Sequence, residues 1–129
     1  MSVPTAHPAA TVLIVEDEAI VRRMMARTLE DYGYRVIAAE DGESAWELLQ
    51  AGATVHAVVS DVAMPGMTGL ELAAKVATLP NAPPVILISG YRHDTSLEYP
   101  FLPKPFGPAH LAGLVGQLLG GVTPPKLVH

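Results

Sequence analysis

The chain has 129 residues, enough for one domain with its own core and too few for two ordinary ones. It has no cysteine, which excludes disulfides, thiolate metal sites and a cysteine nucleophile. Thirteen acidic residues against eight basic ones give a formal charge of −5, and 50% of residues are hydrophobic; neither a basic nucleic-acid footprint nor a disordered chain fits that balance.

Residues 1–10 contain no Lys or Arg and no apolar run, so they do not form a secretory signal. They are expected to be a flexible leader, with the domain over 11–121 and a flexible Gly/Pro-containing tail over 122–129. Val12-Leu13-Ile14-Val15 predicts a strand buried on both faces. It runs into Glu16-Asp17-Glu18, after which Ile20, Val21, Met24, Met25, Thr28 and Leu29 recur at helical spacing as the inward stripe. Gly33 is placed to end that helix. Arg35 to Ala39 predicts a second strand, Asp41-Gly42 a turn, and Glu43 to Gln50 a short helix.

The alternation then repeats. Val55 to Ser60 predicts a strand ending at Asp61, and Gly69 to Leu79 a helix. Val85 to Ile88 predicts a strand ending at Ser89, and Phe101 to Pro103 a brief fifth strand. Pro108 to Leu119 predicts the last helix. Residues 105–125 lack Asp, Glu, Lys and Arg. Prolines bracket that stretch and its helical part falls short of the ~20 residues that cross a bilayer. No membrane span is expected, and a cytoplasmic location follows. Strands alternating with helices imply an α/β fold with a five-stranded parallel sheet covered on both faces.

In such sheets, ligands bind beyond the carboxyl ends of the strands. Those ends carry Glu16 and Asp17, Asp61, Ser89 and Lys104. Crowded carboxylates repel and raise one another's pKa. A hard divalent cation such as Mg²⁺, which prefers oxygen ligands, relieves that repulsion. Beside such an ion, a lysine and a hydroxyl, a carboxylate can act as nucleophile in phosphoryl transfer. Taken alone, the acidic triplet could serve only the helix dipole, Asp61 could cap the following turn, and Ser89 could be ordinary turn chemistry. Trp46 reads as packing, and the histidines show no ligand spacing.

Four segments carry a resemblance to a known family: Val12 to Glu18; Asp61-Val62-Ala63-Met64-Pro65-Gly66-Met67-Thr68-Gly69; Ile88-Ser89-Gly90; and Lys104-Pro105-Phe106. The chain resembles the receiver domains of two-component response regulators, either single-domain or part of a hybrid histidine kinase. The resemblance implies a flavodoxin-like sheet of order 2-1-3-4-5 and a phosphoryl group accepted by Asp61 from a phosphohistidine. It implies Mg²⁺ held by Asp17, Glu16, Asp61 and the Ala63 carbonyl. Ser89 and Lys104 would contact the phosphoryl group, and Phe101 would stand at the switch position. A cis Lys104–Pro105 bond is implied too.

The implied partners are a histidine kinase or phosphotransfer protein and a downstream protein, with neither nucleic acid nor membrane. Such a domain shares in phosphoryl transfer and its own dephosphorylation but is mainly a regulatory switch. The alternative is a pseudo-receiver, a binding module acting without phosphorylation. A haloacid-dehalogenase-type hydrolase ranks below both, because its nucleophile closes the first strand.

The sequence departs from the family in three respects. Gly90 to Pro100 offers only 11 residues between the fourth and fifth strands, so the family's fourth helix is expected to be absent or about one turn long. The face that the family commonly presents to partners would then hold a loop. Phe101 replaces a tyrosine and has no hydroxyl to donate, and Tyr91 is expected to stand over Asp61 and slow attack by water.

Overall fold

The structure is a computed structural model describing residues 10–90 and 99–119. Five strands form one sheet: β1 (Thr11–Val15), β2 (Arg35–Ala39), β3 (Ala57–Asp61), β4 (Val85–Ser89) and β5 (Phe101–Pro103). Four helices accompany them among the described residues: α1 (Ala19–Asp31), α2 (Gly42–Gln50), α3 (Gly69–Val76) and α4 (Pro108–Leu118). All pairings are parallel and the strand order is β2-β1-β3-β4-β5, the order the resemblance implied.

The continuous apolar strands work because both sheet faces are covered. Alternate side chains of a strand point to opposite faces. Val12 and Ile14 therefore join Val59, Ile86, Ile88 and Leu102 beneath α1 and α4. Leu13 and Val15 join Val58, Val85 and Leu87 beneath α2 and α3. Trp46 packs on the second of these cores, with the Lys75 ammonium 5.6 Å from its ring centroid.

Helix ends follow local chemistry. Gly33, at φ 97°, closes α1: its N–H donates to the Glu30 carbonyl and that of Tyr34 to Leu29, the paired bonds of a Schellman cap. Helix α3 ends at Val76 and not at Leu79. Thr78 and Leu79 make tighter bonds to Lys75 and Val76, and Leu79 precedes Pro80, which disfavours helical backbone. The third strand starts at Ala57, later than expected. His56 is instead held by Thr11, whose N–H donates to its Nδ1 at 2.9 Å.

One sequence expectation is corrected on α1. Met25 and Leu29 face the core, but Ile20 is 73% and Met24 61% exposed. A stripe of this width exceeds what the sheet and α4 can cover. The expectations for the fourth helix and for Tyr91 fall on residues 91–98, outside the described residues. Those for the leader and tail fall outside them too, apart from Ala10. Among the described residues no helix is long and apolar enough to cross a membrane.

Ile14 is fully buried on a central strand. Ile14→Ala is expected to lower unfolding free energy by about 2–5 kcal/mol, whereas Ile20→Ala changes it by about 0.5 kcal/mol or less. Urea denaturation of the two variants checks the contrast.

Candidate phosphoacceptor and metal site

Strand β1 pairs Val15 with Ser60 of β3, so the residues that follow, Glu16 and Asp61, emerge side by side. Carboxylate oxygens of Glu16, Asp17 and Asp61 lie within 4.8 Å of one another. Glu16 is 1% and Asp61 5% exposed, while Asp17 is exposed. The acidic triplet does not cap α1 through its side chains. Glu18 occupies the N-cap position without a side-chain bond, and Glu16 turns inward, its Oε2 accepting the Glu18 N–H at 3.1 Å.

The two Asp61 oxygens have different partners. Oδ1 accepts the Ala63 N–H at 3.2 Å, the turn-capping role considered above. Oδ2 accepts from Lys104 Nζ at 3.0 Å, an ion pair joining the ends of β3 and β5. The Lys104 N–H donates to the Ser89 carbonyl, and the Lys104–Pro105 bond is cis. Ser89 is buried at the end of β4, beside Asp61 in the sheet. Ala63 is exposed on the loop after β3, with its N–H committed to Asp61. Phe101 lies on the edge strand, partly exposed.

Three supporting contacts escaped sequence reasoning. Arg22 Nη1 donates to the Glu16 carbonyl at 2.8 Å, and Ser60 Oγ to the Asp61 carbonyl at 3.0 Å. A Cβ at Gly69 would collide with the Asp61 carbonyl, so only glycine lets α3 start this close to the strand. Gly69 belongs to the segment that carried the resemblance, which was its one available signal. The other two are short-range bonds to backbone carbonyls and leave no pattern.

The electrostatics follow from burial. Burial pushes the Glu16 carboxyl up to about 7; the Glu18 N–H opposes this and the Asp61 charge adds to it. Burial alone would lower the Lys104 ammonium, but the hydrogen bond and charge of Asp61, with Glu16 and Glu18, outweigh it and leave the pKa raised. Glu16 Oε1 is buried without a hydrogen-bond partner among the described residues. An orphaned buried oxygen beside two further carboxylates is an all-oxygen donor set that fits a hard divalent cation.

Because the Glu16 pKa is higher folded than unfolded, the folded state holds the extra proton. This group's contribution to stability is full below about pH 4.5 and is lost as pH rises through about 7. Glu16→Gln, which cannot ionise, is expected to remove that component. Without divalent cations, urea midpoints should fall from pH 5 to pH 8 more for the wild type than for the variant.

Residues 12–115 match the family model described as response regulator receiver domain. The chain is 39% identical over 119 residues to the sensor kinase CckA of Brucella abortus (strain 2308), covering 86% of this chain and 13% of that protein. It thus spans a small part of that relative's length. Among solved structures, the receiver domain of the hybrid histidine kinase CckA aligns with a TM-score of 0.75 and 40% identity, over 85% of this chain and 99% of that one. The response regulator TrrA of Thermotoga maritima, in complex with Mg(2+)-BeF, aligns with a TM-score of 0.78 and 30% identity, over 85% and 99%. The match to the family model spans most of the described fold, and on that ground the chain belongs to the response regulator receiver domains of two-component signalling.

Proposed function

We propose that this receiver domain is a phosphorylation-dependent switch in which Asp61 takes a phosphoryl group from a phosphohistidine. The donor is a histidine kinase or a phosphotransfer protein. The observation that carries this reading is the environment of Asp61: a nearly buried carboxylate between an acidic cluster and an ammonium 3.0 Å away. An Asp61 carboxylate oxygen attacks phosphorus, an O–P bond forms, the P–N bond to the imidazole breaks, and the released imidazole takes up a proton. Water later attacks phosphorus, the O–P bond to Asp61 breaks, inorganic phosphate leaves with the proton given up by the water, and Asp61 returns to a carboxylate.

Glu16, Asp17, Asp61 and the Ala63 carbonyl would hold Mg²⁺. That ion supplies positive charge against the phosphoryl oxygens and lets the acids stay ionised together. Lys104 needs only a short shift from Asp61 Oδ2 to reach a phosphoryl oxygen, and Ser89 would donate its hydroxyl to another. Lys104 and Ser89 would report the modification because they lie where β5 and β4 end, and Phe101 begins that same short β5. Rearrangement there would change which downstream protein binds, a shift between two populations. The exposed Met24 on α1, with Lys104, Pro105 and Phe106 beside it, gives the phosphodonor an apolar surface next to the acceptor. We place the protein in the cytoplasm, where such donors carry their phosphohistidine.

Intact mass after incubation with acetyl phosphate and Mg²⁺ tests the reading. The wild type is expected to gain one phosphoryl group, while Asp61→Asn and the wild type with EDTA gain none. A wild type that gains nothing from any small donor would overturn the proposal in favour of the pseudo-receiver. Lys104→Met keeps much of the side chain's length without its charge. It is expected to slow uptake roughly 100-fold, measured as the initial rate of the same mass increase.

A further inference from the structure

The segment from Val62 to Thr68 links Asp61 to α3 and carries the Ala63 peptide group. Its ends are fixed locally. The Gly69 N–H donates to the Val62 carbonyl at 3.0 Å. Thr68 and Glu71 form a reciprocal capping box on α3, each side chain accepting the other's N–H. Met64 is buried in the core under α2 and α3. What remains is the exposed Pro65-Gly66 turn and Met67, and these are held from outside the segment.

The outside contact comes from α2. Glu43 Oε2 accepts the Met67 N–H at 3.1 Å, across 24 residues of sequence. The fit around this bond is close on both sides. A Cβ at Gly42 would stand 2.9 Å from the Met67 Cβ, and a Cβ at Gly66, at φ +75°, would stand 2.9 Å from Glu43 Oε2. The first turn of α2 is itself held by Asp41, whose Oδ1 accepts the Ser44 N–H at 2.7 Å. A helix that gives nothing to the acidic cluster thus reaches the loop that frames it.

We propose that Glu43 is a positioning residue. By holding Met67 it fixes the loop backbone and with it the Ala63 peptide group, and so sets the affinity of the acidic cluster for a divalent cation. This rests on reading that cluster as a Mg²⁺ and phosphoacceptor site. The competing role for Glu43 is purely electrostatic, since an acid in the first turn of α2 complements the helix dipole. The two roles separate by substitution: Glu43→Gln keeps an oxygen that can accept the Met67 N–H but has no charge, and Glu43→Ala keeps neither.

The test is calorimetric titration of the 129-residue chain with Mg²⁺, paired with amide hydrogen exchange at Met67 by NMR. Glu43→Ala is expected to weaken Mg²⁺ binding roughly 10-fold, the lower range for loss of an outer-shell partner, and to speed Met67 exchange. Glu43→Gln restores both to wild-type behaviour. Gly42→Ala, which keeps Glu43 but displaces Met67, is expected to weaken Mg²⁺ binding as Glu43→Ala does. Glu43→Ala binding Mg²⁺ as tightly as the wild type, or Glu43→Gln binding as weakly as Glu43→Ala, would overturn the positioning role while leaving the acidic-site reading intact. A wild type that binds no Mg²⁺ overturns that reading and this inference together.

Discussion

Two nearly buried carboxylates, Glu16 and Asp61, stand side by side at the ends of neighbouring strands, and much of the structure around them exists to make that tolerable. An ionised carboxylate taken out of water is costly unless it is paired or hydrogen-bonded. Asp61 is provided for on both oxygens, by the Ala63 N–H and by Lys104. Among the described residues, Glu16 is provided for on one oxygen only, by the Glu18 N–H. The imbalance appears as a Glu16 pKa near neutrality.

The sheet order supplies this constraint and its partial relief. With β1 and β3 adjacent, their carboxyl ends place the acids together. With β4 and then β5 on the far side of β3, the Lys104 side chain returns across the end of β4 to Asp61. Either half alone would be unfavourable: the acids would repel, and a partly buried ammonium would lack a partner. The ion pair also ties the end of the short edge strand to the centre of the sheet.

The surroundings divide into rigid and open parts. Beneath the site are the buried strands and the close approach of Gly69 to the Asp61 carbonyl. To one side, α1 leaves Ile20 and Met24 in solvent, Met24 next to Pro105 and Phe106. To the other, α2 grips the loop after β3 through Glu43 and Met67. Helical periodicity alone assigned Ile20 and Met24 to the core, because spacing reports which residues share a face and not how wide a face the neighbours cover. The ends of α3 and β3 shifted for local reasons, the proline after Leu79 and the bond between Thr11 and His56.

Strand positions, the parallel sheet and the chemistry at the strand ends were legible in the sequence, because buried strands are written as unbroken apolar runs and because ligand chemistry collects where those runs stop. Acids, hydroxyl and lysine could thus be named residue by residue. Tertiary structure alone decided which Asp61 oxygen faces Lys104, that one Glu16 oxygen has no partner among the described residues, and that Glu43 reaches Met67. Each of these depends on a distance between residues far apart in the chain, and a linear pattern carries no such distance. The opening deficit of −5 changes meaning accordingly: three of its acids converge on one site, and only the fold determines how far their charge goes uncompensated.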